Sequence, residues 1–286
     1  MGIREYPVVL VHGWKSHPGI WKRFIPLLND ASLLVWSFGY DGMNGVSLAD
    51  LAFALQQFIR ERQDESGYGG AVDIVGHCMG TCVSRYMLEV LDREKENLEV
   101  RTLIGLGPPN NGSSIAELFC DPVHGPGRIR ELSGSFFPHG CNPVSDRIVQ
   151  EFRPGSRSMN KLASAGLRPD IAYRIILTQN PAQDPGFFPA FNGMTWQYSR
   201  VNGWQMTYLG DGIVPHTDSF IEGVGLDILP ARGYEFVYDP SLYCHFNLPK
   251  NPEIMHRVLE YLLNPGTLPV MTCPAPGTQG SCTGDS

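Results

Sequence analysis

The chain predicts an α/β fold in which a mostly parallel central sheet is flanked by helices. The strand candidates are short, unbroken apolar runs rather than alternating ones, as expected of parallel strands buried on both faces. Segments with helical periodicity lie between them, so strand and helix alternate through the first half and imply right-handed βαβ crossovers. A length of 286 residues, 42% hydrophobic and 18% charged, suits one large domain over residues 1–264 rather than two domains.

Taken in order, the strand candidates are Val8–Val11, Leu33–Ser37, Val72–Val75, Val100–Leu106, Ala172–Thr178 and Tyr234–Tyr238. In Ser47–Arg62 the residues Leu48, Leu51, Ala52, Leu55, Phe58 and Ile59 recur at helical spacing, with Ser47 placed as an N-cap. A helix pattern also runs from Met79 to Leu91. Asn251–Leu263 puts Ile254, Val258, Leu259, Leu262 and Leu263 on one stripe, with Pro252 tolerated in the first turn. Residues 120–209 break the rhythm. They hold Phe136, Phe137, Phe187, Phe188, Phe191, Trp196, Tyr198 and Trp204 among many Gly, Pro and Asn residues, and long irregular stretches in a compact domain are commonly functional. Packing onto the domain body is the plainer reading for any one of these aromatics. Residues 265–286 form a tail rich in Pro, Gly, Thr and Ser.

The most informative stretch is Gly76-His77-Cys78-Met79-Gly80, entered from the strand Val72–Val75 and left by the helix that begins at Met79. Strand, tight turn and helix is the setting in which a G-x-nucleophile-x-G pattern has mechanical meaning. The glycines admit close backbone approach, and the strained turn lifts one side chain, here Cys78, out of the sheet edge. Upstream, Val11-His12-Gly13-Trp14 runs from a strand into a glycine turn. Downstream come Gly107-Pro108-Pro109-Asn110-Asn111-Gly112-Ser113, then Gly210-Asp211-Gly212-Ile213-Val214-Pro215, then His245 before the last helix.

On these segments, which span most of the chain, the sequence resembles the α/β-hydrolase superfamily, and within it the lipase and esterase branch. The order nucleophile, acid, histidine is that of the superfamily. The resemblance implies the α/β-hydrolase fold with a cap-like insertion over about 120–209 that lines an acyl pocket. It also implies a triad of Cys78, His245 and Asp211. His245 would take the thiol proton and later return one to the leaving group, and Asp211 would fix the imidazole tautomer. The backbone N–H groups of Trp14 and Met79 would form the oxyanion hole. Cysteine departs from the serine usual in this branch, although dienelactone hydrolases and polyhydroxyalkanoate synthases use cysteine at the equivalent turn. Among competitors, His216 lies too near Asp211 in sequence to reach across the site, His256 falls in the last helix, and Asp218 and Asp239 are the alternative acids. His12 and His77 read as supports of the two turns.

A free thiol has a pKa near ~8.5 and needs a base to attack at neutral pH. Thiolate leaves more readily than alkoxide, which favours esters and thioesters over amides. The expected activity is therefore hydrolysis of hydrophobic acyl esters, or lipids, through a thioester acyl-enzyme. Two other readings stay open: an acyltransferase, thioesterase or polyester synthase using the same cysteine, and a binding protein on a hydrolase scaffold in which Cys78 replaces a lost serine.

Composition narrows the partners. A net charge of -7 argues against nucleic acid, which needs a basic face, and no apolar run approaches the roughly 20 residues of a membrane span. No cofactor is expected, and no Cys/His spacing suggests a metal. The first strand candidate starts within a few residues of Met1, which implies a cytoplasmic protein. If Met1-Gly2 stands where a leader was removed, the protein is secreted. Of seven cysteines, Cys78 as a free nucleophile leaves six. Cys120 with Cys141, and Cys273 with Cys282, bracket segments that disulfides could staple; six unconnected thiols, with Cys82 and Cys244 as small core residues, is the other reading.

Overall fold

The structure is a computed structural model that describes residues 6–93, 98–230 and 239–265. Its main sheet is parallel throughout, in the order β2-β1-β3-β4-β5-β8. The strands are β1 (Val8–Val11), β2 (Val35–Phe38), β3 (Val72–His77), β4 (Val100–Leu106), β5 (Ala172–Thr178) and β8 (Gly225–Leu229). All residues of β1 and β3 are buried, which is why these strands read as continuous apolar runs. The strand expected at Leu33–Ser37 pairs as Val35–Phe38, and β3 continues two residues past Val75 to carry the chain into the turn at Cys78. The strand expected at Tyr234–Tyr238 lies outside the described residues. The sixth strand, β8, came with no strong sequence signal, because Asp227 interrupts its short apolar run; the Asp227 carboxylate accepts a hydrogen bond from the Tyr261 hydroxyl.

Helices cover both faces, and capping sets several of their starts. Helix α1 (Phe24–Asp30) precedes β2, and α2 (Leu48–Ser66) follows it. At α2 the Ser47 hydroxyl accepts from the Asp50 N–H at 3.1 Å and the Asp50 carboxylate accepts from the Ser47 N–H at 2.8 Å. This reciprocal box satisfies two donors that the first turn would leave open. Helix α2 runs past Arg62 until Gly67, at φ 66°, ends it in the left-handed region. Helix α3 (Met79–Arg85) widens into a π-helical stretch over Tyr86–Leu91. Those wider turns carry a buried Arg85–Glu89 ion pair at 2.8 Å, and Arg85 also donates to Asn110. The last helix, α9 (Pro252–Leu263), begins where the Asn251 side chain accepts from the N–H groups of Glu253 and Ile254.

The irregular region expected over 120–209 is two pieces, because β5 passes through it to join the sheet. The first piece follows α4 (Ser114–Cys120) and holds α5 (Gly125–Leu132), α6 (Arg147–Phe152) and α7 (Arg157–Ala165). The second holds an antiparallel hairpin of β6 (Thr195–Ser199) and β7 (Gly203–Thr207), followed by the short α8 (His216–Ser219). The staple considered between Cys120 and Cys141 does not form, and both thiols are free. The Cys120 sulfur accepts from Gln150 Nε2 at 3.2 Å, whereas Cys141 lines a side cleft with Tyr40 and Trp14. Cys82 and Cys244 are free and buried. Cys273 and Cys282 lie outside the described residues. Among the described residues no helix is long and apolar enough to cross a membrane.

Candidate active site

The site starts from one strained residue. Cys78 joins β3 to α3 at φ 53° and ψ -127°, a conformation that a side chain with a Cβ adopts only under constraint from its surroundings. Those surroundings are the flanking glycines. A Cβ on Gly76 would lie 2.5 Å from the Thr81 nitrogen, and one on Gly80 would lie 2.3 Å from the Val11 carbonyl oxygen. The turn packs this tightly only because both positions lack side chains. Thr81 Oγ1 closes it by donating to the Gly76 carbonyl at 2.8 Å.

Two loops at the ends of later strands bring polar groups to the sulfur. In Gly210–Pro215 the Asp211 carboxylate accepts through Oδ1 from the N–H groups of Ile213 at 3.0 Å and Val214 at 2.7 Å. These bonds leave Oδ2 to accept from His245 Nδ1 at 2.7 Å. The His245 N–H also donates to the Asp211 carbonyl at 2.8 Å, which ties the two loops together. Cys78 and His245 line the same cleft, and Cys78 acts electrostatically on the His245 imidazole. Cys78 keeps 8% of its surface exposed, while His245 and Asp211 are nearly closed off at 1%; Cys78 and His245 both line the main cleft. Burial works against charge on His245, but the Asp211 carboxylate and Cys78 outweigh it and push the imidazole up to about 10. A buried imidazole in this setting holds its proton through neutral pH.

The competitors stand elsewhere. The Asp218 carboxylate accepts from the Ser114 N–H at 2.6 Å and the Ser114 hydroxyl at 2.9 Å. Burial pushes it up to about 7, with Asp211 adding to the rise. Asp239 caps the short turn before Tyr243 by accepting from Ser241. His216 Nε2 donates to the Thr178 carbonyl, and the exposed His256 bonds Pro252 on its own helix.

His12 and His77 support turns. His12 stacks on Tyr40 with centroids 3.9 Å apart, and its Nδ1–H donates to the Gly13 carbonyl while Nε2 accepts from the Tyr40 N–H. The Tyr40 hydroxyl donates to the His12 carbonyl. Burial, reinforced by the neighbouring His245, holds His77 well below the usual imidazole range. Neutral His77 donates through Nε2 to the His245 carbonyl at 3.0 Å, and so fixes the backbone that presents the other ring.

Two features had no clear sequence signal. Gly107, at φ 54°, sits so close to the acid that a Cβ there would lie 2.6 Å from Asp211 Oδ2. Asp146, at the start of α6, pairs with Lys15 Nζ at 2.9 Å and accepts from Trp14 Nε1 at 3.4 Å, anchoring the turn after β1. Trp14 belongs to that turn, and Met79 opens α3, where first-turn N–H groups lack helical partners.

Two spaces meet at Cys78. An open cleft of about 830 Å³ is lined by Trp14, Phe136, His245, Phe246, Lys22 and Lys250 among others. On the other side lies an apolar pocket of about 40 Å³ between Met79, Pro109, Phe119, Phe136, Val149 and Val214. Of the aromatics expected to line a pocket, Phe136 does so, 5.5 Å from Trp14 and 6.3 Å from His245. Trp196, Tyr198 and Trp204 pack on one another in the β6–β7 hairpin. The Gly107–Ser113 loop contributes Pro109 and Ser113 to the apolar pocket, while Asn110 and Asn111 bond carbonyls in 217–220. Among the described residues no group of His, Cys, Asp and Glu side chains could hold a metal ion.

A parallel sheet with a strained strand–turn–helix bend at its centre, and later loops that bring Asp211 and His245 together, defines an α/β protein organised around that bend. The family described as alpha/beta hydrolase fold matches residues 6–225, and the chain belongs to that family. Among solved structures, a Bacillus licheniformis lipase, BlEst2 in its mature form, is similar at 15% identity with a TM-score of 0.63, over 90% of this chain and 92% of that one. The phospholipase PlaB from Legionella pneumophila is similar at 18% identity and TM-score 0.59, over 90% of this chain and 60% of that one. A monoacylglycerol lipase from Paleococcus ferrophilus gives 14% identity and TM-score 0.52, over 90% and 94%. No curated protein matches by sequence.

Proposed function

We propose that the protein is a lipase-like carboxylic-ester hydrolase that acts through Cys78, His245 and Asp211 by way of a thioester acyl-enzyme. The observation that carries this reading is the His245–Asp211 hydrogen bond, 2.7 Å long, in a cleft that His245 shares with Cys78, whose backbone is strained. Strain of this kind persists where the surrounding structure enforces it, and it concentrates at working sites. The lipase and phospholipase among the similar structures agree with the reading.

The chemistry follows from the contacts. The proton shared between Cys78 and His245 resides on the imidazole, and the sulfur attacks the ester carbonyl carbon. Negative charge moves to the carbonyl oxygen, between the N–H groups of Trp14 and Met79, where each donor is worth roughly 3 kcal/mol. The C–O bond then breaks as His245 gives its proton to the departing alkoxide, leaving a thioester on Cys78. Water, deprotonated by the same imidazole, attacks that thioester. The acid leaves, and the proton taken from water stays on His245 beside the released sulfur. Asp211 holds the ring in the tautomer that keeps Nε2 toward the sulfur.

The test is turnover of p-nitrophenyl esters of graded chain length by the intact chain, Cys78→Ala and Cys78→Ser, with mass spectrometry of the acylated protein. Cys78→Ala is expected to lose on the order of 10³-fold or more of kcat/KM, and the intact chain to show an acyl mass on the peptide containing Cys78. Turnover that survives in the alanine variant would refute the assignment.

A further inference from the structure

Charge in the main cleft runs against the charge of the chain. The protein carries a net charge of -7, yet the ionisable residues lining the cleft, histidines aside, are Lys15, Lys22, Arg23 and Lys250 against a single carboxylate, Asp239. Lys15 is neutralised by Asp146 at 2.9 Å. Asp239 is engaged with the N–H and hydroxyl of Ser241. No ion pair engages Lys22, Arg23 or Lys250 among the described residues. Lys22 and Arg23 are exposed at the rim and Lys250 is half-buried. The field of Lys250 reaches inward as far as His77 and Cys244. Among the described residues the cations lining this concavity outnumber its carboxylates, and the surplus focuses an attractive potential for anions there.

The opposite side of Cys78 differs in kind. The pocket between Met79, Pro109, Phe119 and Val149 is apolar and holds about 40 Å³ of open space, room for roughly three or four carbon atoms if a water needs at least ~10–15 Å³ by the same measure. An ester bound across Cys78 has two ends, and the apolar pocket suits its acyl end. Its leaving group must then lie in the cationic cleft.

We propose that the substrate is a short-chain acyl ester whose alcohol portion carries a phosphate group, held by Lys22, Arg23 and Lys250. This rests on the ester-hydrolase reading and adds the chemical class of the leaving group. A phosphate brings close to two negative charges and several acceptor oxygens. It suits two ammonium groups and a guanidinium that can bond it in bidentate fashion.

The experiment compares three butyryl esters that share an acyl group: the ester of glycerol 3-phosphate, that of glycerol, and that of choline. The intact chain is expected to show kcat/KM for the phosphate ester at least about tenfold above the glycerol ester, taking two- to fivefold per exposed cation, with the choline ester lowest. The preference should shrink in 0.5 M salt, where the Debye length falls to about 4 Å. It should also shrink to within about twofold in a Lys22→Gln, Arg23→Gln, Lys250→Gln variant whose circular dichroism and melting match the intact chain. Equal rates for phosphate and glycerol esters in the intact chain would overturn the proposal.

Calorimetric titration with glycerol 3-phosphate separates this from failure of the parent reading. If p-nitrophenyl butyrate and all three esters stay intact, the hydrolase reading fails. Binding seen in the intact chain and lost in the triple variant would still uphold the phosphate site, and no binding would remove it too.

Discussion

Replacing Asp211 by Asn probes the electrostatics of the site most directly. The displacement of His245 from its ordinary 6.5 to about 10 corresponds to roughly 5 kcal/mol in favour of the imidazolium. Burial opposes that preference, so it comes from the partners, of which the Asp211 carboxylate is the strongest. Asparagine keeps the shape but removes the charge, leaving burial opposed by Cys78 alone, and the imidazole should fall toward or below its ordinary value. In the intact chain, deprotonation of His245 removes the acid that protonates the leaving alkoxide, so the alkaline limb of kcat/KM is expected near pH 10. In Asp211→Asn that limb should move toward neutral pH. The rate at its optimum should drop about 10- to 100-fold, less than the ~10⁴ known for a serine triad, because a thiol gives up its proton more readily. Stability carries the same signature. The folded state binds the His245 proton more tightly than the unfolded chain does, so this contribution is complete below about pH 6.5 and is lost as pH rises toward 10. The assays are a pH–rate profile on a p-nitrophenyl ester and urea midpoints against pH. An alkaline limb that stays in place in Asp211→Asn would refute the assignment of the carboxylate as the partner that charges His245.

Three further outcomes are expected. Gly107→Ala forces a side chain into φ 54° with its Cβ 2.6 Å from Asp211 Oδ2, so steady-state kinetics should show at least a roughly tenfold loss in kcat at about 1–2 kcal/mol of stability. Asp218, buried and pushed up to about 7 from its ordinary 3.8, holds its proton more tightly folded than unfolded, so it erodes stability as pH rises between those values. Asp218→Asn should flatten that decline and stabilise the protein above pH 7 by on the order of 2–4 kcal/mol in urea melts. Asp146→Asn keeps an acceptor for the α6 cap but releases the Lys15 ion pair that braces the turn bearing Trp14; kcat should fall two- to fivefold with KM little changed, and a pure KM effect would contradict that positioning role.

Local chemistry made the sheet's first half and the bend at Gly76–Gly80 legible from residues alone. A parallel strand buried on both faces leaves a continuous apolar run, and a strained turn needs glycine at fixed offsets, so β1, β3, β4 and the Cys78 turn are written in adjacent positions. The caps at Ser47 and Asn251 are equally local, each a side chain bonding N–H groups two or three residues on. The Gly210–Pro215 loop was legible only as a resemblance to the acid loop of lipases, and the backbone bonds to the Asp211 carboxylate, though local, emerge only in the structure.

Tertiary structure alone decided the rest. Strand β8 joins the sheet only because β5 offers it an edge, and its sequence, with Asp227 at the centre, would not stand as a strand by itself. The aromatics of 120–209 look alike in sequence, yet Phe136 stands over the cleft while Trp196 and Trp204 fill a hairpin, since which rings meet depends on how β5 divides the segment. Cys120 and Cys141 stay unpaired because Cys120 meets Gln150 while Cys141 lines a side cleft. Lys22, Arg23 and Lys250 line one cleft although they are over 220 positions apart at the extreme, because the short helices Pro18–Trp21 and His245–Lys250, beside which they sit, pack against each other. A side chain's period and its cap are properties of its neighbours in the chain; what it faces across a cavity is a property of the folded whole.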